Sequence, residues 1–282
     1  DFKIAARSTY GHVSDGMIAS ERELGLGDDH DGIITLARLG LEAEVGADAA
    51  TLLGLDDFAV ELNVTPDRGY AMSMRGLARE YALATGQDFN DPADSVELLP
   101  EPNGFKVQVD DKQPIRGKIG SPLFTTRLIS GVDPTRKSPR WLVSRLKLAG
   151  IRSISVIVDI TNYVMLEYGQ PLHAYDLDKL QGGITVRRAN PGEKLKTLDG
   201  QERKLSTEDL LITDDSGAIG LAGVMGGLET EITDNTSNVL LESAVFDSVS
   251  IARTARIHKL PSEASKRFAR GIDSAVTRVA LD

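Results

Sequence analysis

The sequence has 282 residues, 41% hydrophobic and 26% charged, an ordinary globular balance with room for two or three domains. It has no cysteine, which excludes a disulfide framework and thiolate chemistry. A formal net charge of −10 argues against a sequence-independent nucleic-acid binder, whose affinity comes from Lys and Arg on phosphates, but leaves room for a local basic surface.

Residues 1–36 are rich in Gly and turn formers and resemble the closing strands of a β domain. In residues 57–86 the alternation of Phe58, Val60 and Leu62 predicts a half-buried strand. A turn follows at Thr65–Gly69, then a helix with Met74, Leu77, Ala78 and Tyr81 on its apolar face and a stop at Gly86. Four prolines among acids and glycines over 88–118 predict the main domain boundary, with room for a short strand where Phe105, Val107 and Val109 alternate.

Residues 119–273 predict one mixed domain. A strand is expected at Leu123–Ile129, then a helix capped by Ser138 with Pro139 at its first position and closed by Gly150. A second helix is expected from Val156 to Tyr168, stopping at Gly169. Strands follow at 184–188, 209–213, 219–225 and 239–246, then helices at 249–258 and 263–270. The fold class is therefore α+β and multidomain: a small N-terminal α/β piece before a mixed, mainly β domain with flanking helices. The chain opens at Asp1 and ends in a helix-like run, Ser274–Asp282, so an excised fragment is expected. No apolar run approaches the roughly 18 residues of a membrane span and no signal peptide opens the chain, so a cytoplasmic protein with no membrane partner is expected.

The chemistry-bearing positions each admit a bland alternative. His12, His30, His173 and His258 show no metal-ligand spacing, so no metal is expected. Gly223–Gly227 is neither a Walker loop nor a dinucleotide fingerprint; it is a tight strand-end turn or a backbone wall that a ligand can approach. His173 is by default a core or loop histidine. Glu242 lies in an apolar strand, where a carboxylate is costly unless paired. Its alternatives are an internal salt bridge, with Arg152 or Arg267, and a carboxylate held ready for a ligand hydroxyl.

Five blocks together resemble one family. They are residues 63–69 with 73–80 (NVTPDRG and SMRGLARE), 159–176 (DITNYVMLEYGQPLHAYD), 222–227 (AGVMGG), 238–242 (NVLLE) and 260–273 (LPSEASKRFARGID). In order and spacing they are similar to the β chain of bacterial phenylalanyl-tRNA synthetases. The resemblance covers nearly the whole chain. It implies the end of an incomplete tRNA-binding oligonucleotide-fold domain at 1–36 and part of a small N-terminal α+β domain at 37–87. A linker at 88–114, an editing domain at 115–273 and the start of a helical domain at 274–282 complete the expectation.

By the same resemblance, the editing domain hydrolyses tyrosine wrongly esterified to the phenylalanine tRNA. It implies His173, Glu242 and Asn162 as catalytic residues. Thr161, Pro171, Gly226, Gly227, Ser262, Ala264 and Arg152 are implied to bind substrate, with no metal. Ser262 stands where the family often has threonine, and Ala19 where it often has cysteine. The implied partners are the phenylalanine tRNA and a synthetase α subunit, in an α2β2 assembly; no DNA partner is expected. No cofactor is expected in this fragment, ATP and magnesium being served elsewhere in the full enzyme. The competing expectations are a non-catalytic tRNA-docking and subunit-assembly module, with basic clusters at Arg136–Lys147 and Lys259–Arg270, and a free-standing deacylase, against which residues 1–86 argue.

Overall fold

A computed structural model describes residues 4–24, 30–39, 41–100 and 105–282. Two compact units divide the chain, Asp1–Asp57 and Phe58–Asp282. The first holds an antiparallel hairpin, β1 (Arg7–Thr9) and β2 (His12–Ser14), and a short helix, α1 (Ala49–Leu52). The hairpin turns on Tyr10 and Gly11, both at positive φ, which suits the twist of a two-residue loop.

The second unit opens without the strand expected at Phe58–Leu62. These residues form no strand, and Phe58, Val60 and Leu62 are 89%, 78% and 53% exposed. Alternation sorts side chains between two faces, but a strand also needs a neighbour to take its hydrogen bonds. The turn at Thr65–Gly69 forms, and α2 (Met74–Thr85) runs from the Ser73 cap to Gly86, which takes a left-handed conformation. The buried face of α2 differs from the expected one. Met74 and Tyr81 are exposed, and Arg75, Gly76 and Ala82 point inward. Arg75 is buried because it bridges Asp91 and Asp273, at 2.5 and 2.8 Å. A charge pairing 198 residues apart in sequence has no local signature.

β3 (Val107–Asp110) forms where Phe105, Val107 and Val109 alternate, inside the 88–114 stretch, and pairs in parallel with β6 (Ile184–Arg188). The remaining elements are β4 (Leu123–Ser130), α3 (Arg140–Leu148), α4 (Val156–Tyr168), β5 (Leu172–Asp176), β7 (Lys194–Lys196), β8 (Glu202–Lys204), β9 (Leu210–Asp214), β10 (Gly217–Leu221), β11 (Met225–Gly226), β12 (Asn238–Val245), α5 (Ser248–His258) and α6 (Glu263–Arg270). Ser138 does not cap α3. Its hydroxyl donates to Asp159 on α4, and Pro139 takes the cap position. The helix-like run at the C-terminus is two 3-10 turns, 274–276 and 279–281, which bury Val276, Ala280 and Leu281.

Two sheets build the core. One has the order β11-β10-β9-β6-β3; the other is β4-β12-β5, fully antiparallel with β12 central. One face of the second sheet gives Tyr175, Leu240 and Ala244 to the main core, with Val186, Ile212, Leu221, Phe246, Ile251 and Phe268. Its other face gives Val239, Leu241, Leu172 and Ala174 to a smaller core with Ile157 of α4 and Leu281. With both faces covered, β12 is mostly apolar, and Glu242 and Ser243 are its buried polar residues.

Candidate active site

Glu242 points into the main core because its neighbours two residues away, Leu240 and Ala244, do. In the register of β12 with β5 it lies directly opposite His173, and Leu240 lies opposite Tyr175. His173, Tyr175 and Glu242 therefore share one sheet face. They line a cavity of about 80 Å³ with Pro171 and Leu172, the β10–β11 turn, and Ala264 and Phe268 of α6. A single water needs roughly 10–15 Å³ measured this way, so the space suits a small group and solvent together.

Glu242 is 6% exposed and, among the described residues, has no arginine partner. The salt-bridge alternative is not seen among the described residues: Arg267 donates to Glu263 and to the carbonyl of Met72, and Arg152 is exposed. Instead the hydroxyl of Tyr175 donates to Oε2 of Glu242. Oε1 has no protein partner among the described residues. Burial raises the pKa of Glu242 from 4.5 to about 7, against the opposing effect of the Tyr175 bond. Burial, followed by the charge of Glu242, pushes the Tyr175 phenol well above its usual value.

His173 stacks edge-on against Tyr175, with ring centroids 4.5 Å apart. Burial lowers its pKa from 6.5 to about 4, although the residue as a whole is only half-buried. At neutral pH the imidazole is uncharged and able to accept a proton. The ring lies against the backbone of Gly226, where a Cβ would sit 2.5 Å from Cε1 and 2.7 Å from Nε2 of His173. Only glycine permits that approach. Gly227 is equally constrained, since its Cβ would meet the Ile219 carbonyl at 2.6 Å. Its N–H donates to the same carbonyl at 2.7 Å, so this amide is not available to a ligand.

Of the residues expected to form the site, the fold brings together His173, Glu242, Pro171, Gly226 and Ala264. Gly227 stands just behind the wall. Ser262 caps α6 and donates to the carbonyl of Val224 at 3.0 Å, tying the helix that carries Ala264 to the cavity rim. Thr161 and Asn162 do not line the cavity. They lie on α4, whose Ile157 packs on the reverse face of the sheet, and the Thr161 hydroxyl donates to the carbonyl of Val158. Tyr175 was missed in the sequence, although its two-residue spacing from His173 places it on the same face of any strand. Ile212 and Phe268 left no such trace; the fold alone carries them to the cavity. Among the described residues no group of three or more His, Asp or Glu is placed to hold a metal ion, and no helix is long and apolar enough to cross a membrane.

Comparison with known proteins adds a family context. A family model described as the B3/4 domain matches residues 120–282. The chain is 70% identical over 98% of its length to the phenylalanine–tRNA ligase β subunit of Leifsonia xyli, covering 33% of that protein. It is 55% identical over 98% of its length to the same subunit of Bifidobacterium longum, covering 34%. The chain thus spans about a third of the length of the curated relatives it matches. An N-terminal fragment of the phenylalanyl-tRNA synthetase β-subunit from Pyrococcus horikoshii has a TM-score of 0.40 at 15% identity, covering 78% of this chain and 70% of that one, too distant to argue from.

Proposed function

The chain belongs to the B3/4 domain family, and from that premise we propose that its cavity hydrolyses tyrosine wrongly esterified to the phenylalanine tRNA and spares phenylalanine. The observation that carries this reading is Glu242: a buried carboxylate on a cavity wall, with one oxygen bonded to Tyr175 and the other without a protein partner among the described residues. A pocket selected for phenylalanine rejects an isostere that merely adds a hydroxyl by only about 10²-fold. A second pocket that holds an acceptor for that hydroxyl works in the opposite sense. Tyrosine satisfies Oε1, whereas phenylalanine leaves a buried polar group unpaired, at a cost of about 1–3 kcal/mol or more when the group is charged.

Ester hydrolysis needs a positioned water and stabilisation of the developing oxyanion. Neutral His173, against the thin wall at Gly226, is the group placed to orient that water. Its depressed pKa makes it a weak base, so its contribution is mainly positional. By the names of the relatives, we infer that the longer protein is a phenylalanine–tRNA ligase β subunit. Its partners would be the phenylalanine tRNA and an α subunit, and ATP and magnesium would be served outside this chain.

The test is deacylation of tyrosyl- and phenylalanyl-esters of the phenylalanine tRNA by the chain and by the full-length subunit in its assembly. Faster loss of tyrosine is expected. No deacylation by either preparation would refute the hydrolytic reading. A non-catalytic docking role would then lead, favoured by the surface of α3. There Trp141 is 52% exposed, Arg145 lies 5.6 Å from the centre of its ring, and six basic residues occur over 134–158 with no acidic one.

A further inference from the structure

We propose that Tyr175 is the positioning residue that sets substrate preference: its hydroxyl holds Oε2 of Glu242, so that Oε1 is the acceptor left to receive a hydroxyl from the substrate. The inference rests on the hydrolytic reading of this cavity and names the residue behind its selectivity.

The geometry carries it. Tyr175 is 1% exposed, and its hydroxyl donates to Glu242 from the neighbouring strand. Its ring is fixed on one side by the His173 imidazole at 4.5 Å, and its backbone by the pairing with Leu240. A carboxylate with no arginine or lysine partner is free to turn about its terminal torsion. The Tyr175 bond removes that freedom on one oxygen. The protein therefore already seats one phenol on this carboxylate, and a substrate phenol would be the second.

The groups facing Glu242 are few. From β5 they are His173 and Tyr175, and from β4 the opposite residue is Thr126, which does not titrate in the accessible range. From the other sheet and α6 the cavity receives Ile212, Leu221, Met225 and Phe268, none of them titratable. The Tyr175 hydroxyl favours the ionised form of Glu242, opposing the burial that favours the neutral one. Loss of its hydroxyl leaves a carboxyl that is mobile and more often protonated at neutral pH, and so a poorer acceptor. His173 is neutral over the same range and supplies no compensating charge.

The experiment compares the full-length protein with its Tyr175→Phe variant in deacylation of tyrosyl- and phenylalanyl-tRNA, over roughly pH 6 to 9. In the wild type the preference for tyrosine rises through neutral pH as Glu242 ionises. The variant is expected to lose roughly ten- to a hundredfold of that preference at pH 7, the size of one hydrogen bond to a charged group. The midpoint of the rise is expected to move to higher pH, with partial recovery of preference on the alkaline side. An unchanged preference and pH profile would overturn the proposal, as would equal slowing of both substrates, which signals a packing defect. A wild type inert on both esters would instead remove the hydrolytic reading and this inference with it. A Tyr175→Leu variant provides a second check: if the hydroxyl is what matters, both variants lose the same preference although their packing losses differ.

Discussion

Replacing Glu242 by glutamine should alter the pH dependence of folding in a direction fixed by the site. In the folded protein the carboxyl titrates at about 7 rather than 4.5, so between those values the folded state retains a proton that the unfolded state has lost. Stability contributed by this group therefore falls as pH rises from 4.5 to about 7. At about 1.4 kcal/mol per pH unit the total is ~3 kcal/mol. His173 acts with the opposite sign. Its folded pKa of about 4 lies below the unfolded 6.5, so the unfolded state binds more protons and stability rises with pH between those values. His173 is half-buried where Glu242 is buried, which makes this second effect the smaller one. In the wild type the two largely offset each other below pH 6.5, which gives a shallow profile. In the Glu242→Gln variant the side-chain amide still accepts the Tyr175 bond but does not titrate, so the rise due to His173 is uncovered. Denaturant unfolding followed by Trp141, the only tryptophan, reports on this unit. The stability difference between variant and wild type should grow by ~3 kcal/mol in favour of the variant from pH 4.5 to above 7. A difference that stays constant across that range would refute the raised pKa that burial gives Glu242.

Gly226→Ala places a methyl 2.5 Å from the His173 ring, so the imidazole must shift into the cavity. An overpacking cost of about 1–3 kcal/mol in a thermal or denaturant melt is expected, with loss of deacylation larger than the loss of folded protein explains. His173→Ala should slow deacylation while raising stability at about pH 5 relative to about pH 7, because a histidine buried in its neutral form no longer opposes folding in acid; unfolding at the two pH values checks this. Arg75→Met removes the cation between Asp91 and Asp273 and leaves two partly buried carboxylates together, so a loss of about 3–5 kcal/mol is expected by denaturation. In that variant the surviving pair should make stability fall as pH rises through the carboxylate range, the reverse of the wild-type contribution, in which arginine holds both acids below their usual values.

The sequence by itself determined the elements whose signals are local. Helix α4 ends at Gly169 because a glycine there takes the left-handed cap, and the 3.6-residue period before it needed no partner to be read. Glu242 was also legible, since a carboxylate inside an apolar strand is conspicuous wherever the strand goes, whereas His173 stood out only through the family resemblance, because no strand was expected at Leu172–Asp176. What they touch was not. Arg152 and Arg267 were reasonable partners for Glu242 by charge alone, yet the register of β5 with β12 delivers a tyrosine instead. Asn162 and His173 are close in sequence, but α4 packs on the reverse of the sheet whose front face carries the histidine. Phe58–Leu62 had the alternation of a strand and does not form one. Periodicity and capping are properties of consecutive residues, so the chain displays them directly. Register, pairing and the choice of sheet face are settled only when distant segments meet, and in this protein those meetings decide which side chains share the cavity.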